Sequence, residues 1–192
     1  RHGALIANYA GVTGLVKEDG KTRGVLVRDM IGGREIVARG RVVISALGPW
    51  TDSILQMDNP NAAPIMRPTK GVHILVPRSR LGSDHALGYF SPRDGRLMFL
   101  IPWGDFSIIG TTDTDYQGDL SAVYADASDI DYILDAINVQ FPGVNLTRAD
   151  IISTYAGVRP LIHEEGKAVS ESQVSREHKI WQTPSGILCI SG

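Results

Sequence analysis

The sequence is poor in cysteine and lacks long apolar runs and blocks of basic residues. Cys189, the single cysteine among 192 residues, lies in an apolar segment, so we expect a buried thiol, no disulfide framework and a reducing compartment. With 19 basic and 21 acidic side chains, the formal net charge is −2, which argues against nucleic acid as a partner. No apolar run is long enough to span a membrane, and we expect no signal peptide in these residues.

Several types of catalytic and metal site are also missing. None of the five histidines has zinc-ligand spacing to another histidine or to Cys189. No G-x-S-x-G, no P-loop and no G-x-G-x-x-G after a strand occurs, so the chain carries no dinucleotide fingerprint of its own. Residues 113–119 are similar to the front of an EF-hand loop, but Tyr124 replaces the bidentate glutamate. We therefore predict a turn with self-capping aspartates and no metal site.

The first third of the chain is typical of a strand meander. Residues 10–47 contain alternating apolar positions and turn dipeptides, and they end in the continuous apolar run Val42–Ala46. Such a run is typical of a strand buried on both faces, as in a parallel sheet. Gly48 follows it directly and would let the backbone approach a ligand at the carboxyl edge of that sheet, although an ordinary strand-to-helix turn is the alternative.

The rest of the chain reads as further strands and one clear helix. Residues 58–68 contain three prolines and are predicted to connect two domains, 1–60 and 61–192, with the last strand returning to the first domain. An apolar stripe predicts a helix that covers the sheet, formed by Ile130, Ile133, Leu134, Ile137 and Phe141. The expected fold is α+β, with a mixed, largely antiparallel sheet in the second domain.

Charged residues on two predicted strands are candidates for binding. The strand that begins at Ile152 is expected to end at Arg159, because Pro160 cannot continue a regular ladder. A guanidinium there suits a carboxylate or phosphate, although a solvated strand-end arginine is the alternative. Period-two alternation places His73 opposite Val72, Ile74 and Val76. Lys70, just before this strand, is expected to be solvated, although help in binding the ligand is the alternative.

Five stretches, in this order and spacing, resemble the FAD-dependent glycerol-3-phosphate dehydrogenases of the D-amino-acid-oxidase-like flavoprotein group. They are Ala46-Leu47-Gly48-Pro49-Trp50-Thr51-Asp52, Arg67-Pro68-Thr69-Lys70-Gly71-Val72-His73, Ile101-Pro102-Trp103-Gly104 with Ile109-Gly110-Thr111-Thr112-Asp113-Thr114-Asp115, Ser153 to Leu161, and Ser175-Arg176-Glu177-His178.

The resemblance implies a flavoenzyme core in which residues 1–60 form part of an FAD-binding domain and residues 61–192 cover the substrate. Ala46, Gly48 and Trp50 are then expected beside the cofactor. His73, Arg159 and Arg176 are expected to line the substrate pocket. His73 is the candidate base, Arg159 meets the phosphate or the C2 oxygen, and Arg176 meets the phosphate.

The implied reaction is oxidation of sn-glycerol 3-phosphate to dihydroxyacetone phosphate, with a hydride passed to FAD and electrons to quinone. An oxygen-using glycerophosphate oxidase is the near alternative, and an amine or amino-acid oxidase is a more distant one. The enzyme is expected in the cytoplasm, and a quinone acceptor is compatible with peripheral association at the cytoplasmic membrane. The family's glycine fingerprint and its Gly-Gly-Lys motif are missing, so we expect an excised fragment. We expect that fragment to be inactive alone and to hold no FAD; a non-catalytic module binding phosphorylated ligands is the alternative.

Overall fold

The computed structural model describes residues 3–163 and 177–192, which form two compact units. The first unit extends to Met66 and also contains the C-terminal stretch that ends at Gly192, whereas the second begins at Arg67. The architecture is α+β with mostly antiparallel strands, which confirms the predicted class. Among the described residues, no helix is both long and apolar enough to cross a membrane. The assignment of residues 1–60 and 61–192 to a cofactor domain and a substrate domain stays a prediction.

The first unit opens with an antiparallel meander. Its three strands are β1 (Ala10–Glu18), β2 (Lys21–Asp29) and β3 (Glu35–Arg39). Asp19 and Gly20 join the first two strands with φ of 48° and 72°. Both values are positive, as a two-residue hairpin turn matching the twist of its strands requires, and the Asp-Gly pair supplies residues that tolerate them.

A second sheet of the first unit is built from distant parts of the chain. Strand β4 (Ile44–Ser45) pairs in parallel with β12 (Leu188–Ser191), which pairs antiparallel with β11 (Lys179–Gln182). Helix α1 (Thr51–Asp58) follows β4 after one 3-10 turn. It packs on an apolar cluster whose buried members are Ile54, Leu55, Ile187 and Cys189. The predicted buried thiol is thereby confirmed, and burial raises the pKa of Cys189.

The expectation that Val42–Ala46 is buried on both faces is wrong. The parallel partner is present, but the strand is only two residues long and the side chain of Ile44 is 60% exposed. An apolar run shows only that its own side chains are apolar, and it does not predict whether another element covers them. No described element covers Ile44 here.

The second unit is a six-stranded sheet. Neighbouring strands follow the order β10-β5-β8-β7-β6, and β9 pairs with the start of β5. Pairs β5–β8, β8–β7, β7–β6 and β5–β9 are antiparallel. The strands are β5 (Met66–Pro77), β6 (Leu87–Phe90), β7 (Leu97–Trp103), β8 (Phe106–Gly110), β9 (Thr114–Asp115) and β10 (Ser153–Ile162).

Helix α2 (Ala127–Gln140) covers one face of this sheet. The predicted stripe is confirmed, since its members pack into a core with Val72, Ile74 and Val76 of β5. In the sequence, Ser128 with Asp131 approximates a capping box, but the structure forms a different one. Asp126 accepts hydrogen bonds from the backbone of Ser128 and Asp129, and Asp129 accepts one from the backbone of Asp126. The reciprocal box thus begins two residues earlier, because the acid at N3 that completes it is Asp129.

Strand β10 does not end at Arg159. It continues through Pro160 to Ile162, so the predicted strand end is wrong and Arg159 lies inside the strand. Strand β10 is the outermost of this sheet among the described residues. A proline that lacks its N–H is tolerated at such a position, because no ladder bond to a further strand depends on it.

Lys70 is buried rather than solvated, which corrects the expectation. Its side chain is 9% exposed, and the ammonium lies 2.7 Å from Asp126 and 2.6 Å from Asp129. Burial by itself would lower the pKa of Lys70, but the hydrogen bonds and charges of the two carboxylates outweigh it and raise that pKa. The same contacts, led by the hydrogen bond from Lys70, lower the pKa of Asp126. Lys70 therefore joins β5 to the first turn of α2.

Replacing Lys70 by alanine is expected to lower the free energy of unfolding by about 3–5 kcal/mol, because the buried carboxylate of Asp129 loses its counter-charge. Since the pKa of Lys70 is raised, its contribution is complete at neutral pH and is lost only as pH rises through that value. Urea unfolding measures the change. As control, Arg148→Ala removes a pair with Asp131 that is exposed on both sides and should cost under about 1 kcal/mol. Equal losses for the two variants would contradict the buried role of Lys70.

Candidate functional site

His73 and Arg159 lie on the same face of the second unit's sheet, opposite the face that α2 covers. His73 alternates along β5 with Val72 and Ile74, which are fully buried under the helix. Strand β10 is the neighbour of β5, and its residues Tyr155 and Arg159 reach the same face. The predicted pair of site residues is therefore brought together, although their roles stay predictions.

The imidazole of His73 is half-buried and held by ring packing. It stacks on Tyr155 with ring centroids 4.7 Å apart and an interplanar angle of 11°. Its Nδ1 atom is buried and has no hydrogen-bond partner among the described residues. Burial, followed by the positive charge of Arg159, lowers the pKa of His73. The ring is therefore neutral at pH 7 and can accept a proton.

The guanidinium of Arg159 is fixed by two residues that follow β8. Arg159 Nη1 donates to Asp113 Oδ1 at 3.1 Å, and Nη2 donates to Thr111 Oγ1 at 3.0 Å. The Asp113 side chain is only 2% exposed, whereas that of Arg159 keeps 24% of its surface accessible. A buried carboxylate thus holds a partly accessible cation, the arrangement needed to present a fixed positive charge to an anionic ligand.

Two glycines make room for these side chains. A Cβ on Gly71 would lie 2.6 Å from Cζ of Arg159, and a Cβ on Gly110 would lie 2.8 Å from Cγ of His73. Both distances are shorter than real Cβ contacts, so any larger residue would displace the guanidinium or the imidazole. The backbone of β5 and β8 therefore forms the floor under both functional groups. The Gly110–Thr111 peptide bond is cis.

Three members of this arrangement, Thr111, Asp113 and Tyr155, were not assigned from the sequence. Asp113 was expected in a turn of self-capping aspartates, and that expectation is wrong for it and for Asp115. Asp115 pairs with Arg67, whereas Asp119 accepts a hydrogen bond from the nearby backbone amide of Ser121, as expected for a self-capping aspartate. Asp113 and Thr111 lie in one of the stretches that carried the resemblance, and this was the only indication the sequence offered.

Arg176, the predicted phosphate ligand, lies outside the described residues. Of the stretch Ser175-Arg176-Glu177-His178, only Glu177 and His178 are described, and β11 begins at Lys179. Its convergence with His73 and Arg159 therefore stays a prediction. In the described part of the chain, no group of three or more His, Cys, Asp or Glu side chains is arranged to hold a metal ion.

The predicted cofactor-binding residues lie in the first unit, where β4 ends and α1 begins. Gly48 has a φ of 55°, a left-handed conformation that favours glycine, at the start of the 3-10 turn Gly48–Trp50. Ala46 is exposed, and Trp50 is 45% exposed. Small residues beside an exposed aromatic ring and the exposed side chain of Ile44 offer the apolar, close-approach surface that a flavin or adenine ring requires.

Comparison with known proteins identifies relatives along nearly all of this chain. Residues 1–188 match the family FAD dependent oxidoreductase (DAO). The chain is 38% identical over 192 residues to the aerobic glycerol-3-phosphate dehydrogenase of Bacillus subtilis (strain 168), and 40% identical to that of Staphylococcus haemolyticus (strain JCSC1435). Each match covers 100% of this chain and 34% of the relative, so the chain spans about a third of their length.

A solved structure extends the comparison to the fold. The glycerol-3-phosphate dehydrogenase from Bacillus halodurans, complexed with FAD, superposes with a TM-score of 0.84 at 33% identity. The superposition covers 95% of this chain and 34% of that protein. Sequence and fold thus point to the same group of proteins.

Proposed function

The chain belongs to the family of FAD-dependent oxidoreductases, and from this premise we propose that it is part of an enzyme that oxidises sn-glycerol 3-phosphate to dihydroxyacetone phosphate. The observation that carries the proposal is that His73 lies on the same sheet face as Arg159, whose guanidinium is fixed by Asp113. Oxidation of a secondary alcohol needs a proton acceptor, and a phosphorylated substrate needs a fixed cation. The names of the relatives, which are 38% and 40% identical to the chain over 192 residues, support this choice of substrate.

His73 takes the proton of the C2 hydroxyl as the C2–H bond breaks. Its lowered pKa keeps the imidazole neutral and ready to accept at pH 7. Arg159 is directed at the substrate phosphate or at the C2 oxygen, and Arg176 is expected at the phosphate. When bound, FAD accepts the hydride that leaves C2. The protein's part is to orient the alcohol for removal of its proton and to compensate the phosphate charge.

The fit of the cofactor to this chain rests on the turn after β4. Ala46, Gly48 and Trp50 are proposed to contact FAD, because the positive φ of Gly48 and the exposed ring of Trp50 provide backbone access and apolar surface. The glycine fingerprint that would bind the pyrophosphate is not among these 192 residues.

The electron acceptor is proposed to be quinone rather than oxygen, in agreement with the relatives named as dehydrogenases. We place the enzyme in the cytoplasm, with peripheral association at the membrane that holds the quinone pool.

The proposed function is tested with the protein in its full natural length, purified with FAD. Glycerol 3-phosphate should reduce a soluble quinone analogue and yield dihydroxyacetone phosphate, whereas glycerol should react far more slowly. Oxygen uptake and hydrogen peroxide should remain at background. Turnover with oxygen as fast as with quinone would establish the oxidase instead. Equal rates with proline, another amino acid or an amine would overturn the choice of substrate.

A further inference from the structure

Tyr155 occupies a position that neither the family resemblance nor the proposed mechanism accounts for. Its side chain is 48% exposed on β10, yet one face of its ring covers the imidazole of His73 in a nearly parallel stack. An exposed aromatic ring on a sheet face needs no special explanation by itself. The stack on the candidate base is what calls for one.

The imidazole has few other restraints. Nδ1 of His73 has no hydrogen-bond partner in the described part of the chain, so no bond of that nitrogen sets the ring's orientation or tautomer. Gly110 lies against the ring but contributes no side chain. Among the described residues, the stack with Tyr155 is therefore a contact that restrains rotation of the ring about its side-chain torsions.

We propose that Tyr155 is a positioning residue for His73, whose aromatic face holds the imidazole at the angle needed to accept the hydroxyl proton of the substrate. The inference rests on the proposed function, because it assigns Tyr155 a role through the base of that reaction. The ring performs this role, not the hydroxyl. Stacking also keeps water from one face of the imidazole, which is part of the burial that lowers the pKa of His73.

The charged and titratable groups around His73 allow that pKa to serve as a readout. In the described part of the chain they are Arg159 and Tyr155 from β10 and, from the segment after β8, Asp113, which accepts a hydrogen bond from Arg159. Substitution of Tyr155 leaves both charges in place. A change in the titration of His73 in such a variant therefore reports the loss of the covering ring.

Three substitutions of Tyr155 distinguish the effect of the aromatic ring from that of the hydroxyl group and from that of side-chain volume. Tyr155→Phe keeps the stack, so kcat should stay within about twofold of the wild-type value and the pH–rate profile should be unchanged. Tyr155→Ala should lower kcat by roughly 10- to 100-fold with KM nearly unchanged, since a base misplaced by an ångström loses about that much. In Tyr155→Ala, the pKa that governs the acidic side of the pH–rate profile should rise toward the ordinary histidine value of about 6.5. Tyr155→Leu, which restores apolar volume without an aromatic face, should recover folding and little of kcat.

Tyr124→Ala is the matched control, because Tyr124 is 73% exposed in the same unit and no described ring stacks on it; it should behave as wild type. The His73 titration is also followed by NMR of the imidazole, which needs no turnover. If Tyr155→Ala keeps the wild-type kcat and the wild-type pKa on the acidic side of its pH–rate profile, the inference is overturned. It is also overturned if Tyr155→Phe loses as much kcat as Tyr155→Ala. If wild type fails to oxidise glycerol 3-phosphate, the proposed function falls. The NMR titration then still tests the stack separately.

Discussion

Replacing His73 by alanine is expected to lower kcat for glycerol 3-phosphate oxidation by about 10²- to 10⁴-fold, the usual contribution of a positioned general base. His73 lies on the half-buried face of β5, opposite the face that α2 covers. Its pKa is lowered by burial and by the charge of Arg159. The alcohol proton would then have to leave to water, which is a weaker and unpositioned acceptor. KM should change little, because the phosphate contacts persist.

The pH dependence gives the sharper measurement. The base acts when neutral, so wild-type activity should rise with pH through the pKa of His73. Since that pKa lies below its ordinary value, activity should persist to lower pH than an unperturbed histidine would allow. In His73→Ala this rise of activity with pH should disappear. His85→Ala changes an exposed histidine of the same unit, and it should keep both the wild-type kcat and the rise of activity with pH. An unaltered pH–rate profile in His73→Ala would remove His73 as the base.

Replacing Arg159 by alanine is expected to lower kcat/KM for glycerol 3-phosphate by roughly 10²- to 10³-fold, because a preorganised cationic donor contributes about 3–4 kcal/mol at a desolvated site. Asp113 and Thr111 hold two of its nitrogens, so the guanidinium is already oriented before substrate arrives. Arg159→Lys retains the charge but cannot bridge Asp113 and Thr111 as a fork. It should therefore recover only part of the loss.

The choice of substrate separates the two roles open to Arg159. If it binds the phosphate, activity with glycerol should fall much less than activity with glycerol 3-phosphate. If it stabilises the C2 oxygen, both should fall equally. The same comparison for Arg176→Ala tests the phosphate assignment of that residue. Arg148→Ala, an exposed arginine paired with Asp131, should leave kcat/KM within about twofold. Wild-type kcat/KM with both substrates in Arg159→Ala would exclude it from the site.

Local patterns predicted those parts of the fold that depend on neighbours in sequence. Asp19-Gly20 is one of the turn dipeptides of the predicted meander, and it forms the hairpin turn because both residues tolerate positive φ. The apolar stripe of α2 and the side of β5 that carries His73 followed from periods of 3.6 and 2. Such periodicities are properties of the backbone itself, so they persist whatever packs against them.

The site required contacts between strands that are far apart in sequence. Arg159 and Asp113 are 46 positions apart, and no local pattern indicates that β10 lies beside β5 rather than beside another strand. The same cause explains the wrong expectations for Lys70 and Pro160. Burial of Lys70 depends on the first turn of α2, and continuation past Pro160 depends on which side of β10 is paired.

The sequence by itself determined the α+β class, the faces of β5 and α2 and, through its resemblance to a known family, the choice of His73 and Arg159 as candidates. Only the tertiary structure decided that Asp113 and Thr111 fix the arginine, that Tyr155 covers the histidine, and that Gly71 and Gly110 make room for both. The physical reason is that the alternation of side chains along a strand predicts only which face of the sheet each side chain occupies. Its partners on that face are set by the order of the strands, and hence by the packing of the whole sheet.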